Sequence, residues 1–203
     1  KARRLATPFI RELRHAVGDE VRVGDHRVPE VIFLQETNVK QADLHLLPIP
    51  GNWAAVFNAA PVGHMHGCGI LVVRKLLSSD TSYMEPIIDI STDRFDILGV
   101  KVEDLLMVNV YLHVVRDNSF SAVLDDVVEI ISTSLIQHSG PVIIGGDFNC
   151  PRHAELLQET MEALELHVAL PEDGPTPTHG AGGVLDWIFY RAPATSAGPL
   201  KVL

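Results

Sequence analysis

The sequence predicts a single domain of the α/β or α+β class, a layered sandwich of sheets and helices spanning residues 1–203. Three observations predict this fold. Helix-type and strand-type patterns alternate along the chain, several strand candidates are short continuous apolar runs, and no internal repeat or long linker divides the sequence. Helices separated by paired β segments are typical of layered folds and not of helix bundles.

Short apolar or alternating segments predict eight strands. The first, Val31 to Leu34, is apolar at every position, which is typical of a strand buried on both faces. The other strands are predicted at 53–57, 68–74, 84–90, 95–102, 105–112, 141–146 and 184–190. Turn signals such as Pro50-Gly51 and Gly174-Pro175 separate some of them.

Apolar residues at helical spacing predict three helices. The clearest spans 119–137, where Leu124, Val127, Val128, Ile131 and Leu135 form one apolar face and Ser119 or Ser121 is suited to the N-cap. A shorter amphipathic helix is predicted at 3–16 and ends before Gly18. A third helix is predicted to begin at Pro151, with Leu156, Leu157, Met161 and Leu164 on its apolar face.

The charge and cysteine content exclude several classes of protein. Sixteen basic and 26 acidic residues give a net charge of −10, which argues against a protein that coats nucleic acid electrostatically but not against an enzyme acting on phosphodiesters. Seven of the 16 basic residues lie within the first 27 positions, where they either face phosphates or form a solvated helix surface. No apolar run reaches the roughly 18 residues of a membrane span. Two cysteines cannot form a disulfide framework, so we expect an intracellular protein.

Three carboxylates lie where a strand sequence disfavours them. Glu36 directly follows the run Val31 to Leu34, and Asp147 follows the apolar run that begins at Val142. Both acids are therefore expected at strand ends, the edge where open α/β sheets bind ligands. Asp186 is expected inside the last strand, where a buried carboxylate needs a partner. Each has an alternative: Glu36 as a solvated loop acid, and Asp186 as a structural charge anchoring a turn.

Carboxylates that converge with an asparagine amide suit a hard divalent cation. Mg²⁺ typically takes one or two protein carboxylates and keeps waters or phosphate oxygens as its other ligands. A phosphodiester is then the natural substrate, with one carboxylate binding the ion and another orienting or deprotonating water. Asn149 follows Asp147 by two positions and is either this amide or a helix cap. Gly145 and Gly146 allow the backbone to turn sharply before Asp147.

Five segments together resemble the endonuclease/exonuclease/phosphatase superfamily, which includes DNase I, exonuclease III, apurinic endonucleases and retrotransposon endonuclease domains. The segments come in the family's order and are PEVIFLQET at 29–37, GCGILVV at 67–73, VNVYLH at 108–113, VIIGGDFNCP at 142–151, and the pair PTPTHG with VLDWIFY at 175–190. The resemblance implies a four-layer sandwich of two mixed β-sheets flanked by helices. It also implies binding of Mg²⁺, for which Mn²⁺ substitutes, and a nucleic-acid substrate, DNA or RNA.

The resemblance also implies a role for each candidate site residue. Glu36 corresponds to the metal-binding glutamate, Asp147 to the acid that activates water, and Asn149 to the amide that holds the phosphate. Tyr111 corresponds to a tyrosine that contacts phosphate in the nuclease branch, unless it is a half-buried strand aromatic. His113 is the alternative for that role. Asp186 corresponds to the aspartate that supports the catalytic histidine or the neighbouring backbone.

Two family motifs lack a counterpart in the sequence. The first strand with a catalytic asparagine and the terminal Asp-His pair are both missing, so we expect a domain truncated at both ends or a degenerate relative. Missing segments or a partner chain are then expected to cover the exposed sheet edge. His179 is a weak candidate for a substitute acid. The segment His64 to Cys68 carries soft metal ligands without a second ligand cluster, and Cys150 lacks an accompanying base, so both are interpreted as structural.

The motifs and the charge lead to three alternative functions. The first is a Mg²⁺-dependent phosphodiesterase that cleaves nucleic acid, most like a retrotransposon-type DNA endonuclease, which the threonine of Leu34-Gln35-Glu36-Thr37 favours. The second is an RNA exonuclease, deadenylase or lipid phosphatase of the same superfamily, which the acidic charge fits better. The third is a catalytically inactive scaffold that keeps the fold.

Overall fold

A computed structural model of the chain describes residues 30–47, 49, 51–58, 66–77, 84, 86–113, 119–169 and 184–192. The predicted helix at 3–16, the segment at 175–180 and His179 lie outside these ranges. Within them, no helix is long and apolar enough to cross a bilayer. The elements are β1 (Val31–Leu34), β2 (Trp53–Phe57), β3 (Gly69–Val73), β4 (Pro86–Ser91), β5 (Phe95–Val102), β6 (Leu105–Leu112), α1 (Phe120–Ile136), β7 (Val142–Asp147), α2 (Ala154–Ala163), β8 (His167–Val168) and β9 (Asp186–Arg191).

The described strands form two sheets. The smaller sheet has the order β1-β3-β2 and is antiparallel throughout. The larger sheet has the order β4-β5-β6-β7-β9-β8 and is mixed, because β6 and β7 run parallel while its other neighbours are antiparallel. Helix α1 connects β6 to β7, as a parallel crossover requires.

Apolar side chains fill the space on both faces of the larger sheet. One face packs against the two helices, with Val123, Val127 and Ile131 of α1 and Leu157 and Met161 of α2 buried there. The other face packs against the smaller sheet. The described residues thus form three layers, smaller sheet, larger sheet and helices, in agreement with the predicted two-sheet sandwich of the DNase I-like type.

The structure corrects four details of the predicted elements. The strand β1 is half-buried at all four positions, and β3 is the only described strand that pairs with it. Helix α2 begins at Ala154, and Pro151 lies in the turn before it. Leu156 is 37% exposed, so it does not belong to the buried face of α2. Strand β8 was not predicted, since two residues are too short for a periodic signal.

A buried asparagine joins the two sheets near the end of β1. The side chain of Asn109 on β6 is fully buried and donates through Nδ2 to the carbonyls of Leu34 at 2.8 Å and Gly69 at 2.9 Å. Its Oδ1 accepts a hydrogen bond from Gln35 Nε2 at 2.7 Å. These three hydrogen bonds satisfy the amide inside an otherwise apolar interface and fix where β1 ends.

We expect Asn109→Ala to lower the free energy of unfolding by about 2–4 kcal/mol, because the carbonyls of Leu34 and Gly69 lose their donor. Urea denaturation followed by circular dichroism measures this change. The matched control is Asn52→Ala, since Asn52 is exposed and its substitution should change stability by less than about 0.5 kcal/mol. Equal stability of Asn109→Ala and the wild-type protein would contradict the assignment of Asn109 as the joint between the sheets.

Candidate functional site

Strand register places four polar residues in one row across the larger sheet. Asp96 of β5 pairs with Tyr111 of β6, Tyr111 pairs with Asp147 of β7, and Asp147 pairs with Asp186 of β9. Directly paired residues project from the same face of a sheet. Tyr111 packs between the sheets, so the row faces the smaller sheet. The predicted residues Tyr111, Asp147 and Asp186 are therefore neighbours, although up to 75 positions separate them in the sequence.

Glu36 reaches this row from a tight loop after β1. The backbone N–H groups of Thr37 and Asn38 donate to the carbonyls of Gly67 and His66, both at 3.1 Å. Glu36 and Asn38 have φ values of 50° and 53°, a left-handed conformation that is uncommon outside glycine. Strained backbone of this kind persists when the surroundings enforce it, and it occurs often at functional sites. The loop leaves Glu36 exposed and fixes its direction.

Tyr111 connects the row to Glu36. Its hydroxyl donates a short hydrogen bond to Glu36 Oε1, and 3% of the tyrosine is exposed. Burial raises the pKa of Tyr111 well above its usual value, and the hydrogen bond to Glu36 and the charges of Glu36, Asp147 and Asp96 raise it further. Tyr111 therefore stays protonated and remains a donor at neutral pH. Tyr111 is a buried strand aromatic and also a polar contact of Glu36.

Asp147 is the last residue of β7, and Asn149 lies two positions beyond it. The N–H of Asn149 donates to Asp147 Oδ1 at 2.9 Å, and Asn149 Nδ2 donates to the carbonyl of Leu112 at 2.6 Å. Asn149 has φ of 46°, and Gly146 has φ of 149°. A Cβ at Gly146 would lie 1.8 Å from the carbonyl oxygen of Val110, so only glycine fits there. Asn149 does not cap α2, whose N-cap is His153, so the predicted capping role is wrong.

His113 is turned towards a residue that the sequence analysis missed. Its Nε2 lies 3.1 Å from Asp96 Oδ2, and the two residues are 7% and 0% exposed. Asp96 also accepts hydrogen bonds from the N–H of Gly67 at 3.0 Å and, through its other oxygen, from the hydroxyl of Ser91. Because Gly67 also accepts from Thr37, Asp96 indirectly anchors the Glu36 loop. The only signal for Asp96 in the sequence is its position as an acid within an apolar strand. The same pattern identified Asp186 as a candidate, but Asp96 was not recognised.

Asp186 lies at the start of β9 and is exposed, so the expectation of a carboxylate buried inside the strand is wrong. The exposure follows from the register, since the first residue of β9 pairs with Asp147, the last residue of β7. A groove of about 430 Å³ adjoins it, and Phe33, Gln35 and Trp187 line its wall. Asp186 thus stands at the rim of a groove between the two sheets.

Comparison with known proteins identifies the family and the fold of this chain. The family model described as Endonuclease/Exonuclease/phosphatase family matches residues 7–202. No curated protein sequence matches the chain at a significant level. Similar solved structures include truncated Caenorhabditis elegans TDP2, with a TM-score of 0.60 and 16% identity over 92% of this chain and 78% of that chain.

Two further solved structures show the same fold. The catalytic domain of human Nocturnin with a bound sulfate anion has a TM-score of 0.54 and 16% identity over 80% of this chain and 69% of that chain. The endonuclease domain of TRAS1, a telomere-specific non-LTR retrotransposon, has a TM-score of 0.50 and 14% identity over 92% of this chain and 80% of that chain.

Both cysteines should be unreactive while the protein is folded. Burial raises the pKa of Cys68 well above that of a free thiol, and it raises the pKa of Cys150 to about 12 with a further contribution from Asp147. A thiol of that pKa is ionised in only about one molecule in 10⁴ at pH 8, and the thiolate is the reactive species. We expect negligible alkylation by iodoacetamide at pH 8 and labelling of both cysteines in denaturing urea, measured by mass spectrometry. Rapid labelling of Cys150 in the native protein would contradict its assignment as a packing residue.

Proposed function

Because the chain belongs to the endonuclease/exonuclease/phosphatase family, we propose that it is a Mg²⁺-dependent phosphodiesterase that cleaves nucleic acid. One observation supports this most strongly. Glu36, Tyr111 and the pair Asp147 and Asn149 come from three separate segments and meet at one edge of the paired sheets. These are the positions at which the family's glutamate, strand tyrosine and Asp-x-Asn motif occur in the sequence.

The polar groups at this edge suit a hard cation. Glu36 is exposed, and Asp147 is half-buried and close enough to Tyr111 to raise its pKa. Carboxylate and amide carbonyl oxygens, with water, are the ligands that Mg²⁺ prefers. We propose that Glu36 binds the ion, with water and phosphate oxygens as the other ligands. A bound Mg²⁺ would neutralise charge on the phosphate during cleavage.

The residues around Glu36 have separate roles in the proposed reaction. Tyr111 holds the carboxylate of Glu36 in one orientation and leaves its second oxygen for the ion. Asp147 orients the attacking water and takes its proton as the new P–O bond forms, while the P–O bond to the leaving ester oxygen breaks and that oxygen takes a proton from water. The amide of Asn149 is fixed through one N–H to the carbonyl of Leu112, and its second N–H is assigned to a non-bridging phosphate oxygen of the substrate. His113 faces Asp96 and is not assigned to the phosphate.

The substrate class is the finer part of the proposal. A DNA endonuclease of the retrotransposon type is the first candidate, based on the threonine that follows Glu36. Thr37 is 2% exposed, so it belongs to the buried base of the loop that presents Glu36. The net charge of −10 favours the alternative of an RNA or non-nucleic phosphoester substrate, for which less cationic surface is needed.

We expect Mg²⁺ to bind weakly and Glu36→Gln to abolish this binding, because one exposed carboxylate with retained waters forms an open site. Isothermal titration calorimetry with Mg²⁺ and Mn²⁺ measures both. The control is Glu159→Gln, an exposed glutamate on α2 whose substitution should leave the binding unchanged. Equal Mg²⁺ affinity of wild type and Glu36→Gln would remove Glu36 from the proposed metal site.

We expect Asp147→Asn to reduce phosphodiester cleavage by roughly 10²-fold or more, the usual scale for loss of a general base. Thermal stability should change little, because the amide keeps an oxygen to accept from the N–H of Asn149. The measurement is cleavage of supercoiled plasmid and of single-stranded RNA with Mg²⁺. Asp125→Asn, an exposed acid on α1, is the matched control and should cleave like the wild-type protein.

The outcomes of this assay separate the three functions. Nicking of plasmid that Asp147→Asn abolishes supports a DNA endonuclease, and degradation of RNA alone supports the second candidate. Equal cleavage by the wild-type protein and Asp147→Asn indicates a contaminating nuclease and counts against the proposal. An absence of cleavage by a folded protein that binds Mg²⁺ would count against the proposal for this chain, and it would agree with an inactive scaffold and with a truncated domain alike.

A further inference from the structure

A second cluster of metal-ligating side chains lies beside Tyr111. His66, Asp96 and His113 each offer one ligand atom, and these atoms lie within 4.8 Å of one another. His66 precedes β3, Asp96 is on β5, and His113 follows β6, so the fold brings together residues up to 47 positions apart. In the sequence, the segment His64 to Cys68 has no second group of metal ligands near it. In the structure, Asp96 and His113 lie close to His66.

We propose that His66, Asp96 and His113 bind a transition-metal dication of the Zn²⁺ class, at a site separate from the proposed Mg²⁺ site on Glu36. Two imidazole nitrogens and a carboxylate oxygen suit Zn²⁺ and similar ions, whereas Mg²⁺ prefers oxygen ligands alone. Three protein ligands leave at least one position for water. The proposal does not depend on the proposed phosphodiesterase activity.

The burial of Asp96 supports a cation at this point. The residue is fully buried, and its hydrogen bonds come from the N–H of Gly67, the hydroxyl of Ser91 and the ring of His113. Two of these donors are neutral dipoles, and a buried carboxylate is best stabilised by a positive charge. A dication between Asp96 and the two imidazoles would provide that charge without protonating either ring.

His113 supplies an independent observation. Its Nε2 lies 3.1 Å from Asp96 Oδ2, which is close to the spacing of two ligand atoms on one tetrahedral Zn²⁺ at about 2.0–2.2 Å. Either ring nitrogen of histidine is a common metal ligand.

The geometry requires only a small rearrangement. Zinc ligands lie about 2.0–2.2 Å from the ion, so two ligand atoms on one ion are at most about 4.4 Å apart. The present separations of up to 4.8 Å exceed this by a few tenths of an ångström. The rings of His66 and His113 stack at 3.8 Å with 17° between their planes, so one ring must turn towards the ion. Turning His66 leaves the contact between His113 and Asp96 in place, so we assign the movement to His66, which is half-buried.

The test is Zn²⁺ binding to the 203-residue chain, measured by competition with a chromophoric chelator. We expect one equivalent to bind and His66→Gln and His113→Gln each to weaken binding at least about 10-fold, since even loss of an outer-shell partner has that effect. His167→Gln, an exposed histidine on β8, and Glu36→Gln should bind Zn²⁺ like the wild-type protein. The visible absorption of bound Co²⁺ reports nitrogen ligation by the same histidines.

Circular dichroism without metal first establishes that each variant folds. His66→Gln is the main variant because a half-buried side chain tolerates substitution, and Zn²⁺ should raise the Tm of the wild-type protein but not of this variant. Unchanged Zn²⁺ affinity in the double variant His66→Gln/His113→Gln would overturn the proposal. So would no binding by the wild-type protein, or a loss of binding in Glu36→Gln, which would place the ion at the Mg²⁺ edge.

Discussion

The buried amide of Asn109 determines where Glu36 lies. Asn109 belongs to the larger sheet, and its hydrogen bonds to Leu34 and Gly69 reach both neighbouring strands of the smaller sheet. A loop that begins one residue after Leu34 carries Glu36 towards Tyr111. Because buried amides tolerate little change in hydrogen-bond geometry, the distance between the sheets is fixed at this point. The apolar contacts elsewhere between the sheets would allow one sheet to slide over the other. The hydrogen bonds of Asn109 prevent this movement.

A second buried group, Asp96, holds the other side of the Glu36 loop. It binds Gly67, and Gly67 in turn accepts a hydrogen bond from Thr37. Two buried residues therefore support the left-handed backbone at Glu36 and Asn38. Asn109 binds the carbonyl of Leu34 before the loop, and Asp96 binds Gly67, which contacts the loop. Strain of this kind needs such support, since it costs of order 1–3 kcal/mol per residue. The stability of the two-sheet core maintains a loop geometry that the local sequence alone would not adopt.

Strand periodicity was sufficient to predict most of the larger sheet, and the motifs were sufficient to indicate Glu36, Tyr111, Asp147 and Asn149 as neighbours. β5 and β6 occur with the predicted bounds, and the turn at Glu103 and Asp104 separates their apolar runs. Asn109 and Asp96 escaped prediction because a polar residue in an apolar strand has no partner until the register is known. Asp186 was misplaced for the same reason, as its exposure follows from pairing with the end of β7 and not from its neighbours in sequence.

The separation of the site residues along the chain also has a kinetic consequence. Glu36 and Tyr111 lie 75 positions apart, and Gln35 and Asn109 lie 74 apart, so each contact closes a long loop. Proteins dominated by such non-local contacts fold slowly, commonly in milliseconds to seconds. Strand pairing within each sheet requires shorter loops than docking one sheet against the other. The Glu36 edge should therefore be among the last parts of the molecule to form during folding and among the first to open.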